Sequence, residues 1–172
     1  AFFARNATVG LTHTAAGSLT IGRNTTPLFV ATVNFNAFGD SYGYSPAIRH
    51  VFTSGTVSGD SGWNDSAQFQ SASFGGFRVG LIGALGEGSN GRNWGVNAGY
   101  AGGAFAASLV AQDVKKDGAA AVADTRTTQL AASYDFGAAK VFGQLAKVDN
   151  RSVVNEYRLA NLGVRVPVGA GA

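Results

Sequence analysis

The amino-acid sequence predicts an all-β protein, a transmembrane antiparallel β-barrel, from three observations. Segments of about nine to eleven residues alternate between apolar and polar side chains, which is the length that a tilted strand needs to cross a bilayer. Aromatic residues flank three short turns between these segments, at 73–77, 100–105 and 134–137. Charged residues make up only 13% of the sequence, about half their share in an ordinary soluble domain. A sheet with lipid on one face and water on the other accounts for all three.

Nine segments have the alternating pattern, and connections of two different lengths join them. We predict strands at 2–12, 17–24, 65–73, 77–86, 93–101, 104–113, 125–135, 139–149 and 155–167. The short connections are 13–16, 74–76, 102–103 and 136–138, and the longer ones are 25–64, 87–92, 114–124 and 150–154. Because outer-membrane barrels have short turns at one end and long loops at the other, this arrangement supports the barrel.

The clearest strands separate a lipid face from an aqueous face. In the third predicted strand, Phe69 lies on one side, whereas Gln68 and Gln70 lie on the other. The eighth strand gives no clear period, because Phe142 falls on the side that Gln144 would make aqueous.

Six aromatic side chains lie beside the short turns. In a membrane barrel such residues collect at the boundary between lipid and water, whereas a soluble sandwich has no reason to gather them at one end. We therefore predict an aromatic girdle formed by Phe74, Phe77, Tyr100, Phe105, Tyr134 and Phe136.

The composition excludes several functional classes. Without Cys the chain has no disulfide, zinc ribbon or thiol chemistry, and two isolated His leave little for a metal site. The net charge of +3 comes from scattered residues rather than a basic run, so nucleic acid is not an expected partner. No apolar run long enough for a transmembrane helix and no signal-peptide pattern is present. We expect neither a metal nor a cofactor.

Two short motifs resemble catalytic or nucleotide-binding signatures, and their surroundings argue against both. Residues 59–62 read G-D-S-G, as around a protease nucleophile, but His13 does not lie in the setting that a catalytic base requires. Residues 86–91 satisfy G-x-G-x-x-G, but the segment after them alternates like a strand, whereas a dinucleotide site needs a helix there. We predict that the protein is not an enzyme.

Three stretches resemble strand motifs of the Gram-negative general porins. Residues 5–11 and 17–27 read R-N-A-T-V-G-L and G-S-L-T-I-G-R-N-T-T-P, similar to the family patterns R-x-A-x-V-G-L and G-x-[LV]-x-[LI]-G-R-x-x-[TS]-P. Residues 65–77 are similar to N-S-V-x-Y-x-S-P-x-F-G-G-F, with Asp65 in place of Asn and Ala72 in place of Pro. Beyond about residue 80, the agreement lies in the rhythm of the strands more than in residue identities.

The resemblance implies a trimeric barrel of about sixteen strands in the bacterial outer membrane. Such a barrel forms a water-filled channel for passive diffusion of small hydrophilic solutes and ions. Both ends of the sequence look like cuts, so we expect 1–172 to be one barrel domain that is incomplete at both ends, covering roughly the fourth to the twelfth strand. Its expected partners are outer-membrane lipid, the solutes and two further copies of the chain.

The resemblance also assigns a role to the loop 25–64, which in porins folds into the barrel and narrows it. Carboxylates on this loop then face arginines on the wall, and the excess of cations implies a mild anion preference. Asp60 is an alternative to Asp40 as the loop carboxylate. For Arg78 and Arg165, the competing interpretation is an ordinary solvated position on a strand. The expected constriction residues are Arg5, Arg23, Asp40, Arg78 and Arg165.

A second hypothesis remains open. The long loops could belong to a cell-surface adhesin or structural β-barrel that binds partners and conducts nothing.

Overall fold

The computed structural model describes residues 6–52, 60–86, 92–115, 124–151 and 155–169. Within these ranges, antiparallel strands form a single sheet in which each strand pairs with the next along the chain. The strands are β1 (Ala7–His13), β2 (Gly17–Thr25), β3 (Gly62–Ser71), β4 (Phe77–Ala84), β5 (Asn93–Gly102), β6 (Phe105–Lys115), β7 (Asp124–Asp135), β8 (Lys140–Asn150) and β9 (Asn155–Arg165). The predicted all-β, antiparallel class is confirmed. Over the described residues the sheet is open, because β1 and β9 do not pair with each other.

Each predicted strand has an observed counterpart, and the largest shift among the described residues is at the start of β3. Gly22 pairs with Ser66 but Asn24 pairs with Trp63, so β3 contains an extra residue at this point. Asp65 lies in this bulge with a φ of 48°. A bulge interrupts the two-residue period, which is why the alternation did not reveal the first residues of β3. Residues 2–5 of the first predicted strand lie outside the described residues.

The register assigns the side chains to two faces of the sheet. Leu109 and Leu130 are register partners on what we term the outer face, and each is 51% exposed. Their chain neighbours Val110 and Gln129 are partners on the inner face, where they are 1% and 0% exposed. At these positions the outer face is therefore apolar and uncovered, whereas the inner face buries polar side chains.

The connection between β2 and β3 contains two helices, α1 (Pro27–Asn34) and α2 (Pro46–Phe52), where the sequence predicted only a long loop. Thr26 Oγ1 accepts a hydrogen bond from the amide of Phe29 at 3.3 Å, and Pro27 follows it in the first turn. Ser45 Oγ likewise accepts an amide hydrogen bond from the first turn of α2, at 3.3 Å. Both helices thus begin with a hydroxyl cap followed by proline, a sequence signal for a helix start.

The two helices pack on the inner face and form a small apolar core with it. The buried members of this core are Leu28, Ala31, Val51 and Val110, with Phe52 and Leu159 packed against them. Within the described ranges, neither helix has the length and apolar character needed to cross a membrane.

Candidate functional site

Hydrogen bonds from the inner face hold α1 against the sheet. Gln129 Nε2 donates to Thr32 Oγ1 at 2.9 Å, and Gln144 Nε2 donates to the Thr32 carbonyl oxygen at 2.9 Å. All three residues are at most 2% exposed. Because leaving a buried polar group without its partner costs about 1–3 kcal/mol, these contacts fix the position of the loop over the inner face.

The segment that follows α1 contacts the turn end of β9. Arg165 Nη2 donates to the carbonyl oxygen of Ala37 at 3.0 Å. A Cβ atom added to Gly163 would lie 3.0 Å from the Ala37 Cβ, so glycine permits the close approach of loop and strand. The loop therefore crosses the inner face from β2 to β9.

A cavity of about 930 Å³ lies between α1 and the inner face. Its lining contains the cations Arg78 and Lys140 and, among the described residues, no carboxylate. Neutral polar side chains cover much of the rest, among them Thr20, Asn24, Gln68, Gln70, Asn97, Ser108 and Ser133. Water and small polar solutes fit such a lining.

Two cations share one aromatic ring at the turn end of the inner face. Lys140 Nζ and Arg165 Cζ each lie 5.5 Å from the centroid of Phe142, and the two cations are register partners. Phe142 is 3% exposed and shares the inner face with Gln144, which settles the ambiguous facing of the eighth strand. The face of an aromatic ring attracts cations, so the ring holds two positive charges close together.

Lys140 was not among the residues predicted for the site. The signal that could have found it is its position two residues before Phe142 and four before Gln144 on the same strand. Since side chains two apart share a face, Lys140 belongs to the aqueous side once Gln144 is placed there.

The structure places the two arginines Arg23 and Arg78 on opposite faces of the sheet. Arg78 lies on the inner face and lines the cavity. Arg23 is the register partner of Ala7 and shares the outer face with Ile21, and its Nη1 donates to Asn64 Oδ1 at 2.6 Å. The expected pore-lining role of Arg23 does not follow from this placement, because the family motif fixes its position along the strand but not its face.

The remaining expected constriction residues have different outcomes. Arg5 lies outside the described residues. Asp40 lies exposed in the turn after α1 and forms no ion pair with a described residue. Asp60, the alternative loop carboxylate, accepts a hydrogen bond from Trp63 Nε1 at 3.2 Å, and its carbonyl oxygen accepts one from Thr26 Oγ1 at 2.8 Å. Asp60 thus ties together the two ends of the loop.

The six predicted girdle aromatics all lie at the end of the sheet that carries the short turns. Phe77 and Tyr100 are register partners with ring centroids 4.7 Å apart, and Phe105 lies 6.1 Å from the same tyrosine ring. Tyr134 and Phe136 form a second pair at 4.6 Å. This placement agrees with a membrane boundary at the turn end.

An open sheet with an apolar outer face, a polar inner face and a loop packed inside it is the architecture of an outer-membrane β-barrel with an infolded loop. The family model for Gram-negative porins matches residues 1–172, and the chain belongs to that family. The protein is located in the bacterial outer membrane. No curated protein matches the sequence.

Two solved porins have similar folds. The anion-selective porin from Comamonas acidovorans is 26% identical with a TM-score of 0.73, and the match covers 96% of this chain and 53% of that porin. OmpF from Salmonella typhi, solved with daunomycin, is 16% identical with a TM-score of 0.61, over 93% of this chain and 53% of its own. The chain therefore spans about half the length of these porins, and the second likeness concerns the fold alone.

Proposed function

We propose that the full-length protein containing this segment forms a water-filled channel through which small hydrophilic solutes and ions diffuse passively, without catalysis. The observation that carries the proposal is the cavity between α1 and the inner face, which has a polar lining and lies opposite an uncovered apolar face. By family membership, we further propose a homotrimer in which the loop 25–64 narrows each channel.

The charges at the cavity support a mild preference for anions. Arg78 and Lys140 line it, Arg165 lies beside Lys140, and the described lining holds no carboxylate. A guanidinium group stays charged at every accessible pH, so the positive potential persists across the working range. The similarity to a porin described as anion-selective points the same way. In this proposal, Asp40 on the loop faces the wall cations from the other side of the channel.

The experiment is a planar-bilayer recording of the full-length protein in a salt gradient. We expect stepwise conductance and a reversal potential that is shifted from zero toward the equilibrium potential of the anion. Replacing Lys140 by Glu should move the reversal potential toward cations, because it changes the net charge at the cavity by two units.

Arg23→Glu makes the same charge change on the outer face and is the matched control. The family motif implies a shift toward cations for this variant as well, whereas its placement beside Ile21 predicts an unchanged reversal potential. A folded protein without conductance would overturn the channel and favour the adhesin hypothesis.

A further inference from the structure

The side of α1 that lines the cavity is apolar and uncharged. Pro27, Val30, Ala31 and Asn34 line the cavity at the spacing of one helical stripe, and Phe35 extends this lining beyond the last turn. Among these five residues, Asn34 alone has a polar side chain. The loop therefore presents a mainly hydrocarbon surface to the cavity.

Val30 is the accessible part of this surface. Its side chain is 44% exposed, whereas Leu28 and Thr32, on the stripe that faces the sheet, are fully buried. The hydrogen bonds from Gln129 and Gln144 to Thr32 hold the helix from behind. The orientation of Val30 toward the cavity is therefore fixed by contacts on the opposite side of the helix.

The wall of the cavity that faces α1 is polar, and its turn end is positively charged. Arg78 and Lys140 line this wall, and Arg165 is the register partner of Lys140 on β9. Asp135 is the partner of Lys140 on β7, but it does not line the cavity, and its Oδ1 accepts a hydrogen bond from the amide of residue 137 at 2.8 Å. Asp40 lies exposed in the turn after α1 and also does not line the cavity. The described lining thus combines cations on the wall with hydrocarbon on the helix.

A solute between these two surfaces meets different chemistry on each side. A polar group pressed against Val30 loses water without gaining a hydrogen-bond partner, which is unfavourable. An apolar group in the same place removes hydrocarbon from water on both partners, which is favourable. An anionic group is stabilised at the cations on the wall. The two surfaces together fit an ion that has a charged end and an apolar body.

We propose that the cavity prefers monocarboxylates with an apolar body over hydrophilic anions of the same size and charge. The carboxylate binds at Arg78 and Lys140, and the hydrocarbon chain lies against Val30 and Phe35. Binding sites that are largely apolar, with a few charged groups that fix the orientation of the ligand, have this general form. The inference rests on the proposed channel and names the class of solute that its cavity selects.

The test compares pentanoate with 4-hydroxybutanoate, which have the same charge and the same number of heavy atoms and differ by a terminal methyl or hydroxyl group. Planar-bilayer recordings of the full-length protein at about pH 8, where both carboxylates are ionised, give the concentration at which each half-saturates its block of the chloride current. We expect this concentration to be about fourfold lower for pentanoate, because burial of one methyl group contributes about that factor.

Two valine variants on α1 separate the cavity from the helix. Val30→Thr exchanges one methyl group for a hydroxyl group on an equally branched side chain, and it should reduce the preference for pentanoate to about twofold. Val33→Thr makes the same exchange on the same helix, outside the cavity lining, and should leave the preference unchanged. Lys140→Gln should weaken the block by both carboxylates severalfold and leave their ratio unaltered, since both carry the same charge.

The possible failures of the inference and of the channel differ. Normal conductance with equal half-saturation by the two carboxylates would refute the inference and leave the channel intact. A preference that persists in Val30→Thr, or that is lost equally in Val33→Thr, would show that the cavity side of α1 does not select the solute. A folded protein without conductance would refute the channel itself and the inference with it.

Discussion

The inner and outer faces of this sheet are formed by the same strands, yet their side chains differ in polarity and in burial. On the outer face, the register partners Leu109 and Leu130 are apolar and half exposed. On the inner face, Gln129 and Gln144 are buried and their amide groups donate to Thr32 of the infolded loop. Alternation along the strands therefore determines which solvent each face contacts, whereas buried amides on the aqueous face determine where the loop lies.

The largest effect should come from placing a charge on the wrong face. Leu109→Arg puts a guanidinium group on the outer face in the middle of the apolar band, and we expect it to lower the free energy of unfolding by about 2–4 kcal/mol. The adjacent Ser108→Arg directs the same group toward the polar cavity and should cost much less. Urea-induced unfolding of the full-length protein in lipid vesicles measures both. Equal losses for the two variants would mean that the faces do not differ in solvent.

The next effect tests how the loop is held. Gln129→Ala and Gln144→Ala each remove a buried hydrogen bond to Thr32, so each should lower the free energy of unfolding by about 1–3 kcal/mol. Single-channel recordings should show larger current fluctuations, because α1 is less firmly held. Gln68→Ala is the control, since Gln68 lies on the inner face and lines the cavity without a side-chain hydrogen bond to α1. Identical recordings for all three variants would refute the role of the two glutamines.

The smallest effect concerns the close approach of the loop to β9. Gly163→Val introduces a Cβ 3.0 Å from the Ala37 Cβ and should cost about 1–2 kcal/mol by overpacking while displacing the loop segment. Gly143→Val introduces the same side chain on β8, where an added Cβ meets no atom within 4 Å. Fluorescence from a probe attached at Ala37 should change in the first variant only. An unaltered signal in Gly163→Val would contradict the observed contact.

Much of the fold could be predicted because the strands obey local rules. The two-residue period and the short, aromatic-flanked turns predicted every strand that the described residues contain, and the bulge at Asp65 hid the start of β3. The helices of the loop were missed, although Thr26-Pro27 and Ser45-Pro46 have the residue types of helix starts.

The candidate site was less predictable, because it depends on contacts between distant residues. The packing of the loop brings Thr32 to Gln129 and Gln144, residues about a hundred positions away in sequence. A family motif located Arg23 along its strand, but only the register with β1 shows which face it occupies. Predicting Lys140 as a site residue required knowing which face of the sheet it occupies, and the period of its strand was ambiguous in the sequence.

Lipid contacts the outer face of the sheet and water contacts the inner one, and labels at two neighbouring positions on β5 can distinguish the two solvents. The chain has no cysteine, so single cysteines at Val96 on the outer face and Asn97 on the inner face can each carry a nitroxide spin label. In the full-length protein in lipid vesicles, the label at position 96 should relax mainly by collision with oxygen dissolved in the bilayer. The label at position 97 should respond to a water-soluble nickel chelate. The same relaxation behaviour at both positions, or the reverse assignment, would contradict the account.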